Sequence, residues 1–126
     1  MTENELSKII VDCAIEVHRT LGGPGLLESV YEEALAWEIE YRGVPVERQI
    51  SIPLVYKGVQ LAAPLRLDLL VDSKVVVEVK SAAQYNTIAE TQALTYLRMM
   101  NLKLAIVINF GEKLVSNGIH RVVNGL

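Results

Sequence analysis

Asp68, Glu78 and Lys80 are the residues whose types and spacing could do chemistry in this chain. Two carboxylates are hard oxygen ligands suited to a divalent cation such as magnesium, and a lysine two positions beyond the second could orient an attacking water or face a substrate oxyanion. The same three residues could instead form an internal salt bridge with no site at all. Either way they need a partner, because charges on a half-buried sheet face are costly to desolvate alone.

The element that must position them is the stretch Arg66 to Lys80, R-L-D-L-L-V-D-S-K-V-V-V-E-V-K. Leu65, Leu67, Leu69 and Val71 alternate with Arg66, Asp68, Leu70 and Asp72, and Val75, Val77 and Val79 alternate with Val76, Glu78 and Lys80, which is the pattern of two strands. The charged residues fall opposite an unbroken aliphatic face. An antiparallel pair brings Asp68 and Glu78 to one face only if the loop has an odd number of residues. A loop of Asp72, Ser73 and Lys74 meets this condition, pairing Val71 with Val75, Asp68 with Glu78 and Arg66 with Lys80.

The flanking elements follow from periodicity. Thr2 and Glu5 form a capping box, and Leu6, Ile9, Ile10, Cys13, Val17 and Leu21 follow at helical spacing. Cys13 lies on that stripe as a core residue, and His18, without a His, Cys or Asp partner at ligand spacing, is a surface or satisfied histidine. Gly22-Gly23-Pro24-Gly25 is a turn into a second helix over 26–42. Its expected apolar stripe is Leu27, Val30, Tyr31, Ala34, Leu35, Trp37 and Tyr41, with Glu28 at the edge and Glu38 inside it. Geometry alone does not choose which of these two carboxylates faces a site. Residues 44–56 read as a strand with Lys57-Gly58 as its turn, residues 87–100 as a third helix carrying Gln92 and Tyr96 on one face, residues 102–110 as a buried strand and residues 114–123 as an edge strand. Two helices ahead of the strands and a crossover helix between them predict an α/β fold, a mixed sheet with helices on both faces.

Composition sets the outer bounds. A chain of 126 residues with 51% hydrophobic and 21% charged content is expected to form one domain spanning 1–126. Its apolar runs are strand-sized and its N-terminus is polar, which predicts neither a membrane span nor a signal peptide, and a cytoplasmic location. One cysteine excludes an internal disulfide and a cysteine-rich zinc site. Residues 1–41 hold nine acids and two bases, a balance of −7, whereas residues 42–126 hold six acids and ten bases, a balance of +4. The half with the hairpin is therefore mildly basic, compatible with a phosphate-bearing substrate and well short of a strong DNA binder.

Seven short motifs then stand in order: G-L-L-E-S-V-Y at 25–31, Y-K-G at 56–58, R-L-D-L-L-V at 66–71, V-E-V-K at 77–80, Q-A-L-T-Y-L at 92–97, I-N-F-G at 108–111 and R-V-V-N-G-L at 121–126. Together they resemble the GxxExxY proteins, over nearly the whole chain. That family lies within the PD-(D/E)XK phosphodiesterase superfamily, which implies a restriction-endonuclease-like mixed sheet of about four to five strands flanked by helices. The resemblance also implies a metal-dependent nuclease using Mg2+ or Mn2+ on DNA or RNA. By the same resemblance Asp68, Glu78 and the Val79 carbonyl are metal ligands, Lys80 is the lysine of the E-x-K element, Glu28 rather than Glu38 is the helix carboxylate at the site, and Gln92 is the polar residue of the following helix. Tyr31 and Tyr96 support it. Leu67 stands where the motif has proline. The rival readings are a non-catalytic nucleic-acid- or protein-binding module that keeps the fold, and hydrolysis of a small phosphodiester. One small domain has no separate recognition unit, so specificity would come from a homodimer, a partner protein or the loops.

Overall fold

Thr2 and Glu5 cap the first helix reciprocally, as expected: the Glu5 amide donates to Thr2 Oγ1 (3.2 Å) and the Thr2 amide to Glu5 Oε1 (2.9 Å). In the computed structural model, which describes residues 1–126, this helix is α1, Glu3–Thr20. It buries Leu6, Ile10, Cys13, Ala14 and Val17. Burial pushes the Cys13 thiol up to about 11, leaving it an inert core residue.

The second helix, α2, spans Glu28–Tyr41 and corrects the expected stripe. It buries Tyr31, Glu32, Leu35, Ala36 and Ile39, while Leu27, Trp37 and Tyr41 are 75%, 61% and 74% exposed. Apolar residues occupy both flanks of this helix, so angular stepping could not select the face that the sheet covers. Tyr31 stacks on Phe110 at 4.6 Å, donates its hydroxyl to the Gly23 carbonyl (2.6 Å) and accepts from the Leu26 amide (3.2 Å). It thereby fixes the turn that leads into α2.

Seven strands follow: β1 (Val46–Ile52), β2 (Val55–Tyr56), β3 (Val59–Gln60), β4 (Leu65–Val71), β5 (Val75–Lys80), β6 (Leu104–Asn109) and β7 (Ile119–Val123), with α3 (Ile88–Met100) between β5 and β6. The main sheet has the order β1-β4-β5-β6-β7, and β5–β6 is its one parallel pair, joined by the α3 crossover. The expected single strand over 44–56 is interrupted at Pro53, which has no amide to donate, and β2–β3 form a separate ribbon about the Lys57-Gly58 turn, where both φ angles are positive. The expected strand over 114–123 begins later, because Val115–Gly118 winds into a 3₁₀ turn. No helix is long and apolar enough to cross a membrane.

One apolar layer lies between the sheet and α1–α2, the other between the sheet and α3. Val46, Leu69 and Val71 pack into the first; Ile50, Ile52 and Leu67 pack into the second. Residues of equal parity thus face opposite layers, so the aliphatic face expected from Leu65 to Val71 is broken. The break falls between the pairs Arg48↔Leu69 and Ile50↔Leu67, where Gln49 and Asp68 are left unpaired and Gln49 has φ 49°. A left-handed residue within a strand reverses the local pleat.

Candidate active site

The β4–β5 turn is the expected three-residue loop. Val71 pairs with Val75, Leu70 with Val76 and Leu69 with Val77, and there the ladder stops. Beyond it a side chain replaces backbone pairing: Asp68 Oδ2 accepts the Val79 amide at 2.8 Å, and Glu78 Oε1 accepts the Asp68 amide at 3.4 Å. The strands part around two carboxylates. The expected strand pairings of Asp68 with Glu78 and of Arg66 with Lys80 do not form, because the β4–β5 ladder ends at Leu69 and Val77.

Glu78 is 9% exposed, on the α3 side of the sheet with Val76. Burial, and then the charge of Asp68, push its carboxyl up to about 8, and Lys80 offsets this only in part. Neither carboxylate has an ion-pair partner, which corrects the salt-bridge reading: Lys80 lies beyond salt-bridge distance of both. The Tyr96 hydroxyl is also raised, by burial and then by Glu78 and Asp68, which places α3 within the field of the pair.

Between its ordinary 4.5 and about 8, Glu78 holds its proton in the folded chain but not in the unfolded one, so the folded state binds more protons and stability falls as pH rises. Below 4.5 both states are protonated and the penalty vanishes. Thermal melts of metal-free protein from pH 5 to pH 8.5 should show wild type losing stability relative to Glu78→Gln progressively across this window. A difference independent of pH would contradict the buried, unpaired state of Glu78.

Lys80 is half-buried and lines a cavity of about 160 Å³ together with Gln84, Tyr85, Asn86 and Gln92. Its backbone is clamped, since the Phe110 amide donates to the Lys80 carbonyl at 2.8 Å. The next turn is held by Asn109, fully buried, whose Oδ1 accepts the amides of Ala82 (2.9 Å) and Gly111 (3.0 Å) while Nδ2 donates to the Ala82 carbonyl (3.0 Å). On the cavity wall the Tyr85 ring stacks on His120 at 4.0 Å and its hydroxyl donates to Glu90 at 3.2 Å.

Asp68 and Glu78 are therefore joined by one hydrogen bond, from the Asp68 amide to the Glu78 carboxylate, and Lys80 and Gln92 line one cavity. Glu28 is exposed at the first turn of α2, on the side that continues through Tyr31, Glu32 and Leu35, and it makes no hydrogen bond or ion pair. The Ser81 hydroxyl donates to the Leu26 carbonyl (2.6 Å), tying the start of α2 to the residue after Lys80. His18 is a satisfied core histidine, its Nε2 3.1 Å from the Phe110 carbonyl. Asn109 and Glu32 escaped sequence reasoning. Asn109 left a signal, an amide closing an otherwise aliphatic strand; Glu32, one of several acids on α2, left none.

The donor set bears on which metal would fit. No third His, Cys, Asp or Glu gathers with Asp68 and Glu78. Two carboxyl groups without an ion-pair partner and without His or Cys beside them are an all-oxygen donor set, which suits a hard divalent cation such as magnesium or manganese.

The family model of the PD-(D/E)XK nuclease superfamily matches residues 4–122. No curated protein and no solved structure matches the chain.

Proposed function

Because the chain belongs to the PD-(D/E)XK nuclease superfamily, we propose that it is a divalent-metal-dependent phosphodiesterase that hydrolyses DNA or RNA. The observation that carries this reading is the two carboxylates held by backbone amides at the parting of β4 and β5, with Lys80 nearby and engaged by neither. Asp68, Glu78 and the Val79 carbonyl would hold Mg2+ or Mn2+. The ion would supply Lewis-acid polarisation of the phosphodiester and an activated water.

The chain's own residues do the rest. The Lys80 ammonium, held by its backbone to β6 and unpaired at its tip, orients the attacking water or stabilises charge developing on the phosphate. Gln92 places an amide across the same cavity to position that water or a phosphate oxygen. Glu28 takes up a water or a cation-bound ligand from the α2 side. A cytoplasmic setting, and a homodimer that supplies the second contact surface a single small domain lacks, belong to the same proposal.

Lys80→Ala separates binding from chemistry. Manganese affinity should stay within about threefold of wild type, while oligonucleotide cleavage should fall about 10²–10³-fold, as when a donor to a developing oxyanion is removed. Loss of manganese affinity in Lys80→Ala would contradict the role given to this residue. Salt-sensitive oligonucleotide retention with no cleavage under any metal would move the reading to a binding module.

A further inference from the structure

Glu32 is a buried carboxylate, 6% exposed, that the proposed chemistry does not use. From α2 it accepts Gln49 Nε2 at 2.6 Å through one oxygen and Arg48 Nη2 at 3.1 Å through the other. Arg48 and Gln49 are neighbours on β1, and neighbouring strand side chains point to opposite faces. Both reach one carboxylate because Gln49 has φ 49°, a conformation unfavourable for a residue with a Cβ and needing support from its surroundings. Gln49 stands opposite Asp68 at the one point where β1–β4 pairing is interrupted, between Arg48↔Leu69 and Ile50↔Leu67. The same point separates Leu69 in one apolar layer from Leu67 in the other. Asp68 is thus released from the ladders on both sides, and its carboxylate turns to accept the Val79 amide.

We infer that Glu32 is a positioning residue for Asp68, acting through Gln49: its hydrogen bond holds the left-handed residue whose reversal of the pleat delivers the Asp68 carboxylate beside Glu78. The catalytic significance of this rests on the function proposed above, but the positioning itself does not. Glu32 touches neither substrate nor metal in this scheme.

The test is amide hydrogen exchange at Val79 in the metal-free full chain, with Ile106 on the interior strand β6 as the reference for global opening. Glycine adopts a positive φ without support, whereas alanine does not. Gln49→Gly should therefore keep Val79 protection within about threefold of wild type, while Gln49→Ala, which leaves the Glu32–Arg48 pair intact, should speed exchange at Val79 by at least about tenfold with Ile106 unchanged. Glu32→Ala should speed it likewise, and Glu32→Ala/Gln49→Gly should restore protection. Equal protection in Gln49→Ala and Gln49→Gly would overturn the inference, as would a loss in Glu32→Ala that Gln49→Gly does not recover. Manganese titration of the same variants should follow the exchange data. Wild type that binds no manganese but shows this exchange pattern would sink the functional reading and leave the positioning standing.

Discussion

Asp68→Ala and Glu78→Ala are each expected to leave a folded protein that no longer binds manganese in a calorimetric titration. The two side chains are the only anionic donors brought together at the parted end of β4 and β5. Disturbing the support of a metal ligand costs about 10–100-fold in affinity, so removing one of two carboxylates should cost at least about 100-fold. The variants should differ in stability. Asp68→Ala strands the Val79 amide, at about 1–3 kcal/mol. Glu78→Ala strands the Asp68 amide, held only at 3.4 Å, but removes a charge that burial and Asp68 disfavour, so at pH 8 without metal its melting temperature should lie above that of Asp68→Ala. Manganese affinity retained in both variants would rule out these ligands.

The second large effect is expected at Gly111. A Cβ there would overlap the Ala82 carbonyl oxygen and lie 2.7 Å from the Ala82 carbonyl carbon and amide nitrogen. The obstacle is backbone, which cannot swing aside as a flexible side chain would. The segment is also locked, since Asn109 bonds Ala82 and Gly111 together. Gly111→Ala should therefore destabilise the fold by about 3 kcal/mol through overpacking and broken hydrogen bonds, read in urea unfolding. The segment follows Lys80 directly, so the folded fraction should also lose cleavage while keeping manganese binding. A variant as stable as wild type would show that this close approach is not maintained.

Much of the frame was legible because its signals are local. The capping box of α1, the three-residue β4–β5 loop and the crossover helix each rest on residues adjacent in sequence. What was not legible depends on contacts made across the fold. The buried side of α2 is selected by the sheet it meets, not by its own pattern, which is why Trp37 and Tyr41 are exposed. Pro53 divides a stretch that otherwise alternates, since it removes a donor that only the partner strand would miss. At the site, parity and loop length brought Asp68 and Glu78 to one place. Their manner of meeting was hidden, because it turns on a positive φ at Gln49 and on Asp68 taking a backbone position in the ladder. Whether Lys80 would neutralise the carboxylates was likewise undetermined by spacing. The structure keeps it clear of both.

The most direct measurement is cleavage of a mixed panel of single- and double-stranded DNA and RNA by wild type and Glu78→Ala, in magnesium, manganese or EDTA. If Asp68, Glu78 and Lys80 form a metal-dependent hydrolytic site, wild type cleaves at least one member of the panel with metal, EDTA abolishes the cleavage, and Glu78→Ala shows none. Cleavage that survives EDTA or the loss of Glu78, or wild type inert toward the whole panel with both metals, would contradict it.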